Sequence, residues 1–145
     1  MPLPHVLARH ATPERWALLH EFRRFATVGF AGLAVDTLVV YGTKGVAGLY
    51  VAKLLGFLPA VTTTWALNRA WTFAGRGSGS LARQWALFVA ANLLGAGVNI
   101  STYFLLVATV PFCAAHPILA ILAGVGAGMF VNFGLSRRVV FRGSP

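Results

Sequence analysis

The chain has 145 residues, 57% of them apolar and 10% charged, and a mean hydropathy of +0.73. Those values exclude an ordinary soluble domain, in which about a quarter of residues are charged. Twelve lysines and arginines stand against three acids, Glu14, Glu21 and Asp36, yet they crowd the ends of apolar runs, so membrane topology accounts for them without a nucleic-acid partner.

Residues 1–21 hold Arg9, Arg15, Glu14 and the histidines His5, His10 and His20, with no apolar core before a cleavage site. They predict a retained, mobile, cytoplasmic N-terminal segment rather than a signal peptide. The first apolar span runs from about Phe25 to Thr43, interrupted only by Asp36. The second covers roughly Tyr50 to Leu67, with Lys53 near its start and Pro59 inside it. Residues 74–80, Ala-Gly-Arg-Gly-Ser-Gly-Ser, form a linker with no reason to be ordered. The third span, Trp85 to Val110, carries no charge; Pro111 and Pro117 bracket a short turn with His116, and the fourth covers Ile118 to Leu135. A span of about 20 residues crosses a bilayer, and nothing outside the spans is long enough for a second core. The lone Cys113 leaves no internal disulfide and no cysteine-rich metal site.

Orientation follows from the basic residues. Ten flank the spans in the N-terminal segment, the linker and the C-terminal tail, against only Lys44 and Lys53 in the two hairpin turns. Both termini and the linker are therefore expected in the cytoplasm, in a multi-pass protein of the cytoplasmic membrane.

The chain also ends the same way twice. Asn68-Arg69-Ala70-Trp71-Thr72-Phe73 closes the second span and Ser136-Arg137-Arg138-Val139-Val140-Phe141 closes the fourth. An offset of 63 lays Phe25, Gly29, Gly32 and Asp36 on Phe88, Asn92, Gly95 and Asn99. An offset of 68 lays Gly56, Ala60, Thr64 and Asn68 on Gly124, Gly128, Asn132 and Ser136. The expected fold is all-α: four transmembrane helices as two helical hairpins, residues 22–73 and 81–142, joined by the linker at 74–80. Both hairpins start and end on one side, so the repeats are parallel, related by an axis along the membrane normal.

Rows of small and polar residues at helical spacing share one face. Their glycine ends read as packing seams and their polar ends as more than packing needs. Asp36, about 18 Å in from Arg24 at 1.5 Å per residue, reads either as a proton- or substrate-coupled carboxylate or as an interhelical acceptor for Asn99 or Lys53. Lys53 reads as a snorkelling lysine or an anion contact. Arg69 and Arg137, each after Asn or Ser and before an aromatic, fit a phosphate-binding corner, because guanidinium groups bind phosphate oxygens bidentately. Trp71, Phe73, Trp85 and Phe141 read as interfacial belt aromatics. No metal-ligand cluster, nucleophilic triad or glycine-rich phosphate loop is present in the sequence, so neither catalysis nor a cofactor is expected.

Residues 22–36, Phe-Arg-Arg-Phe-Ala-Thr-Val-Gly-Phe-Ala-Gly-Leu-Ala-Val-Asp, with Asn68–Phe73, Asn132-Phe133 and the closing Ser-Arg-Arg-Val-Val-Phe, resemble the GtrA-like family over roughly 22–142. The family pattern favours Asn where this chain has Ser136 and an aromatic where it has Val139. The resemblance implies a small four-span protein of cell-surface polysaccharide synthesis that moves a polyprenyl-phosphate-linked sugar across the membrane. In that reading Arg69, Arg137, Asn68, Ser136, Arg24 and Arg83 receive the lipid phosphate. Asp36, Asn99, Thr64, Asn132 and Lys53 line the sugar's path among membrane lipids. A four-helix bundle fills its own centre, so the path is expected between protomers of a homo-oligomer, a dimer by preference, or open sideways to lipid. Two alternatives are a non-transporting anchor for a glycosyltransferase partner and, less in keeping with an arginine-rich face, a proton-coupled cation exporter.

Overall fold

The computed structural model describes residues 12–77 and 79–143, and every regular element among them is helical. Helix α1 (Pro13–Leu67) runs on as a π-turn at Asn68–Thr72; α2 (Leu81–Thr109), the short α3 (Pro111–Ala115) and α4 (Pro117–Leu135) follow, and α4 runs on as a π-turn at Ser136–Val140. Proline opens α1, α3 and α4, where its missing N–H costs nothing and its fixed φ suits the first turn. The Ser80 hydroxyl caps α2 by accepting from the Arg83 N–H at 3.2 Å.

Helix α1 is two limbs. Gly48, at φ 77 and ψ 165, adopts a backbone conformation that is essentially restricted to glycine, and there the chain doubles back. Gly32 then faces Ala60 and Thr64, and Gly56 faces Asp36, so the limbs are antiparallel. The second hairpin repeats this with α2 against α4: Gly95 faces Gly128 and Asn132, and Gly124 faces Asn99. Each of these pairs is the image of a pair in the first hairpin at the offsets of 63 and 68, so the duplication holds in three dimensions.

Among the described residues, three stretches, Pro13–Gly48, Leu81–Thr109 and Ile118–Val140, are long and apolar enough to cross a membrane. Phe30, Leu38, Leu54, Phe104 and Phe130 stand 64–73% exposed on the outside of the bundle, as side chains facing lipid do. The buried core lies towards the end that carries the linker. There Phe73 and Phe141 stack with ring centroids 4.9 Å apart. Phe25 meets Phe73 at 6.3 Å, and its counterpart Phe88 meets Phe141 at 6.1 Å.

Several expectations need correction. Helix α1 already begins at Pro13, so His20 and Glu21 lie in regular helix rather than in a mobile segment; His5 and His10 lie outside the described residues. Phe73 and Phe141 are 1% and 0% exposed, core residues rather than belt aromatics. The π-turn is the reason: an N–H bonded five residues back, Phe73 to Asn68 O and Phe141 to Ser136 O, each at 2.8 Å, widens the helix and swings the aromatic inward. The linker is tied down as well. The Gly77 N–H donates to Arg142 O at 3.0 Å, and Arg76 ion-pairs with Glu21.

Candidate functional site

Between the two hairpins lies a cavity of about 530 Å³, lined by residues of both repeats. The cavity therefore lies within one chain, contrary to the expectation of a filled bundle centre. Gly29, where an added Cβ would meet no atom within 4 Å, leaves the space open, and the aromatics Phe25, Phe57 and Phe88 frame it. The exposed rim residues Phe30, Leu33 and Val125 leave it open sideways.

Its polar wall consists of Thr64, Asn68, Asn92, Asn99 and Asn132. Asn68 is buried, and its Oδ1 accepts from the Thr72 hydroxyl at 2.7 Å. Asn92 Nδ2 donates to Phe88 O at 2.9 Å, and the Thr64 hydroxyl donates to Val61 O at 3.0 Å. Among the described residues, none donates a hydrogen bond to the buried Oδ1 of Asn132. Three of the five path residues expected from sequence (Asn99, Thr64 and Asn132) thus meet in one cavity, and Asn68 joins them.

Asp36 and Lys53 do not. They pair with each other across the first hairpin, the carboxylate side chain 13% exposed and the lysine 67%, and neither lines the cavity. Of the two readings of Asp36, the interhelical acceptor is the one this contact matches.

Arg69 and Arg137 lie at the linker end, each bound across the repeat boundary. Arg69 Nη1 donates to Gln84 Oε1 at 2.6 Å, and Trp65 Nε1 donates to the same oxygen at 3.2 Å. Arg137 Nε donates to Glu21 Oε2 at 2.7 Å, while Arg76 occupies Oε1. The arrangement is a reciprocal clasp, because each repeat's closing arginine holds the opening helix of the other repeat. Glu21 and Gln84 were missed as site residues. The signal was present: the offset of 63, extended four residues back from Phe25, lays Glu21 on Gln84.

Ser136 is fully buried and its hydroxyl has no hydrogen-bond partner among the described residues, because Val140 stands where repeat one has Thr72. Arg24 lies over the Trp71 ring at 5.6 Å and reaches its carbonyl at 3.5 Å, and Arg83 is exposed in the first turn of α2. Among the described residues, no three His, Cys, Asp or Glu side chains gather as metal ligands would. The arrangement offers hydrogen bonds inside and guanidinium groups at one end.

A comparison with curated proteins gives no match. A family described as GtrA/DPMS, transmembrane domain, matches residues 24–141. That match takes in the cavity and all of the clasp except Glu21, and the chain is a multi-pass membrane protein that belongs to this family.

Proposed function

We propose that this protein carries a polyprenyl-phosphate-linked sugar across the cytoplasmic membrane for glycan synthesis, and does so without covalent chemistry. The observation that supports the reading is the amide-walled cavity, open sideways in an otherwise apolar bundle, with arginines at one end. A lipid-linked sugar has the matching parts. Its prenyl chain stays in lipid at the exposed rim, its sugar enters the cavity, and its phosphate remains at the arginine end.

In this reading the limb at 49–67 is the fourth crossing and the arginine end is cytoplasmic, as the excess of basic residues there favours. The exposed Arg24 and Arg83 meet the phosphate first. Arg69 and Arg137 become available when the phosphate displaces Gln84 and Glu21, an exchange of like kind because carboxylate and phosphate both accept from guanidinium. A homodimer is compatible with this scheme, but the path does not depend on one.

Gly29→Leu tests the reading. A Cβ at Gly29 meets no atom within 4 Å, so the larger side chain enters the cavity without disturbing the packing. In proteoliposomes holding a short-chain polyprenyl-phosphoryl hexose, wild type should move the lipid between leaflets and Gly29→Leu should fall to the protein-free background. Equal rates would remove the cavity from the path. A wild type that moves nothing, yet co-purifies with a glycosyltransferase, would favour the anchoring role.

A further inference from the structure

The cavity wall has a property that the transport reading does not require: it carries no charge. Among the described residues, none that lines it is Asp, Glu, Lys, Arg or His. The nearby ionisable residue within the first hairpin, Asp36, is neutralised by Lys53 and packs over Gly56, away from the cavity. The acidic residue at the arginine end, Glu21, is taken by Arg76 and Arg137.

The wall is nevertheless under-bonded. Asn132 lines the cavity with its Oδ1 seated against Gly95 and, among the described residues, buried without a donor. Asn99 faces the same space, and its side chain makes no hydrogen bond among the described residues. Within a bilayer such groups have no bulk water to turn to, and an unmet buried acceptor is costly. Carboxamides both donate and accept, which is what a hydroxyl needs from a partner. A fixed charge brought into this space would find no counter-charge and would keep its desolvation cost.

We propose that Asn99 and Asn132 form a subsite selective for an uncharged, hydroxyl-rich sugar, and that the site discriminates against sugars bearing a carboxylate or an amine. The inference rests on the transport reading for the rest of the ligand. Charge is thus sorted along the bundle: the anionic phosphate belongs to the arginine end, the neutral ring to the amide wall. A volume of about 530 Å³ falls within the range of small-molecule sites.

The test is a binding comparison on the purified full-length protein in nanodiscs, with three short-chain probes: polyprenyl phosphate, its hexose ester and its hexuronate ester. Wild type should bind the hexose ester about tenfold more tightly than the bare phosphate, the gain of one or two net hydrogen bonds. The hexuronate ester should show no gain. In Asn132→Leu and in Asn99→Leu the hexose gain should vanish while binding of the bare phosphate is kept. An equal gain for hexose and hexuronate on wild type would overturn the subsite whatever the variants do, as would a gain that survives in both variants. Failure of wild type to bind any of the three probes would instead sink the transport reading beneath it.

Discussion

The two hairpins share a plan and differ in how they are held. In the first, Asp36 and Lys53 pair across the limbs, and glycine contacts fall mainly on side-chain atoms: Gly32 on the Thr64 methyl, Gly56 on the Asp36 carboxylate. In the second, Asn99 replaces the acid and the contacts reach backbone. A Cβ on Gly124 would stand 2.6 Å from Asn99 O, and one on Gly128 would stand 2.7 Å from Gly95 O. One hairpin is braced by charge, the other by close approach of two helix backbones. The clasp differs in the same sense, with the carboxylate of Glu21 at the position that the amide of Gln84 takes in the second repeat. A duplicated unit thus keeps its geometry while one copy concentrates its charges and the other supplies most of the neutral amides of the cavity.

Breaking the charged half of the clasp should have the largest effect. Glu21→Leu leaves Arg76 and Arg137 without their acceptor, and because these side chains are only partly screened the loss should be about 3 kcal/mol, near the lower end for a broken buried pair. Gln84→Leu removes neutral acceptance from Arg69 and Trp65 and should cost about 1–2 kcal/mol. Denaturant unfolding in detergent micelles ranks the two; a larger loss at Gln84 would reverse the comparison.

The brace near the first turn comes next. Lys53→Met strands the Asp36 carboxylate among apolar helices and should cost about 2 kcal/mol, less than a fully buried break because the lysine is exposed. Adding Asp36→Asn makes this hairpin resemble the second at that position and should restore most of the lost stability in the same unfolding measurement. Equal stability of wild type and Lys53→Met would show that the pair contributes nothing.

The smallest contrast concerns the π-turns. Thr72→Val takes the donor from buried Asn68 and should destabilise by about 1 kcal/mol, whereas Ser136→Ala removes a hydroxyl that has no partner and should be neutral or stabilising by about 1 kcal/mol. Thermal midpoints of the two variants moving in the same direction would contradict the different bonding of the two turns.

Much of the fold was legible residue by residue. Apolar runs mark helices in a membrane because every backbone N–H must bond within its own segment, and the two closing motifs carry the duplication. The spacing of Gly32 with Gly95, and of Thr64 with Asn132, named faces that do meet. Legibility failed where partners come from distant sequence. Glu21 looked like part of a tail because its two arginines lie 55 and 116 residues away. Phe73 and Phe141 looked interfacial because a π-turn shifts a side chain's direction without a strong mark in composition. The linker looked free because its ties run to Glu21 and Arg142, neither of them its neighbour.

By itself the sequence determined the class of molecule: a basic, multi-span helical protein built from a repeated hairpin, since hydropathy and periodicity are local properties that any folded state must respect. Only the tertiary structure decided that the hairpins clasp each other reciprocally, that Asp36 pairs with Lys53 away from the cavity, and that a cavity lies between the hairpins. Those outcomes depend on which side chains share a small volume, and that is fixed by the packing of both repeats together rather than by either one alone.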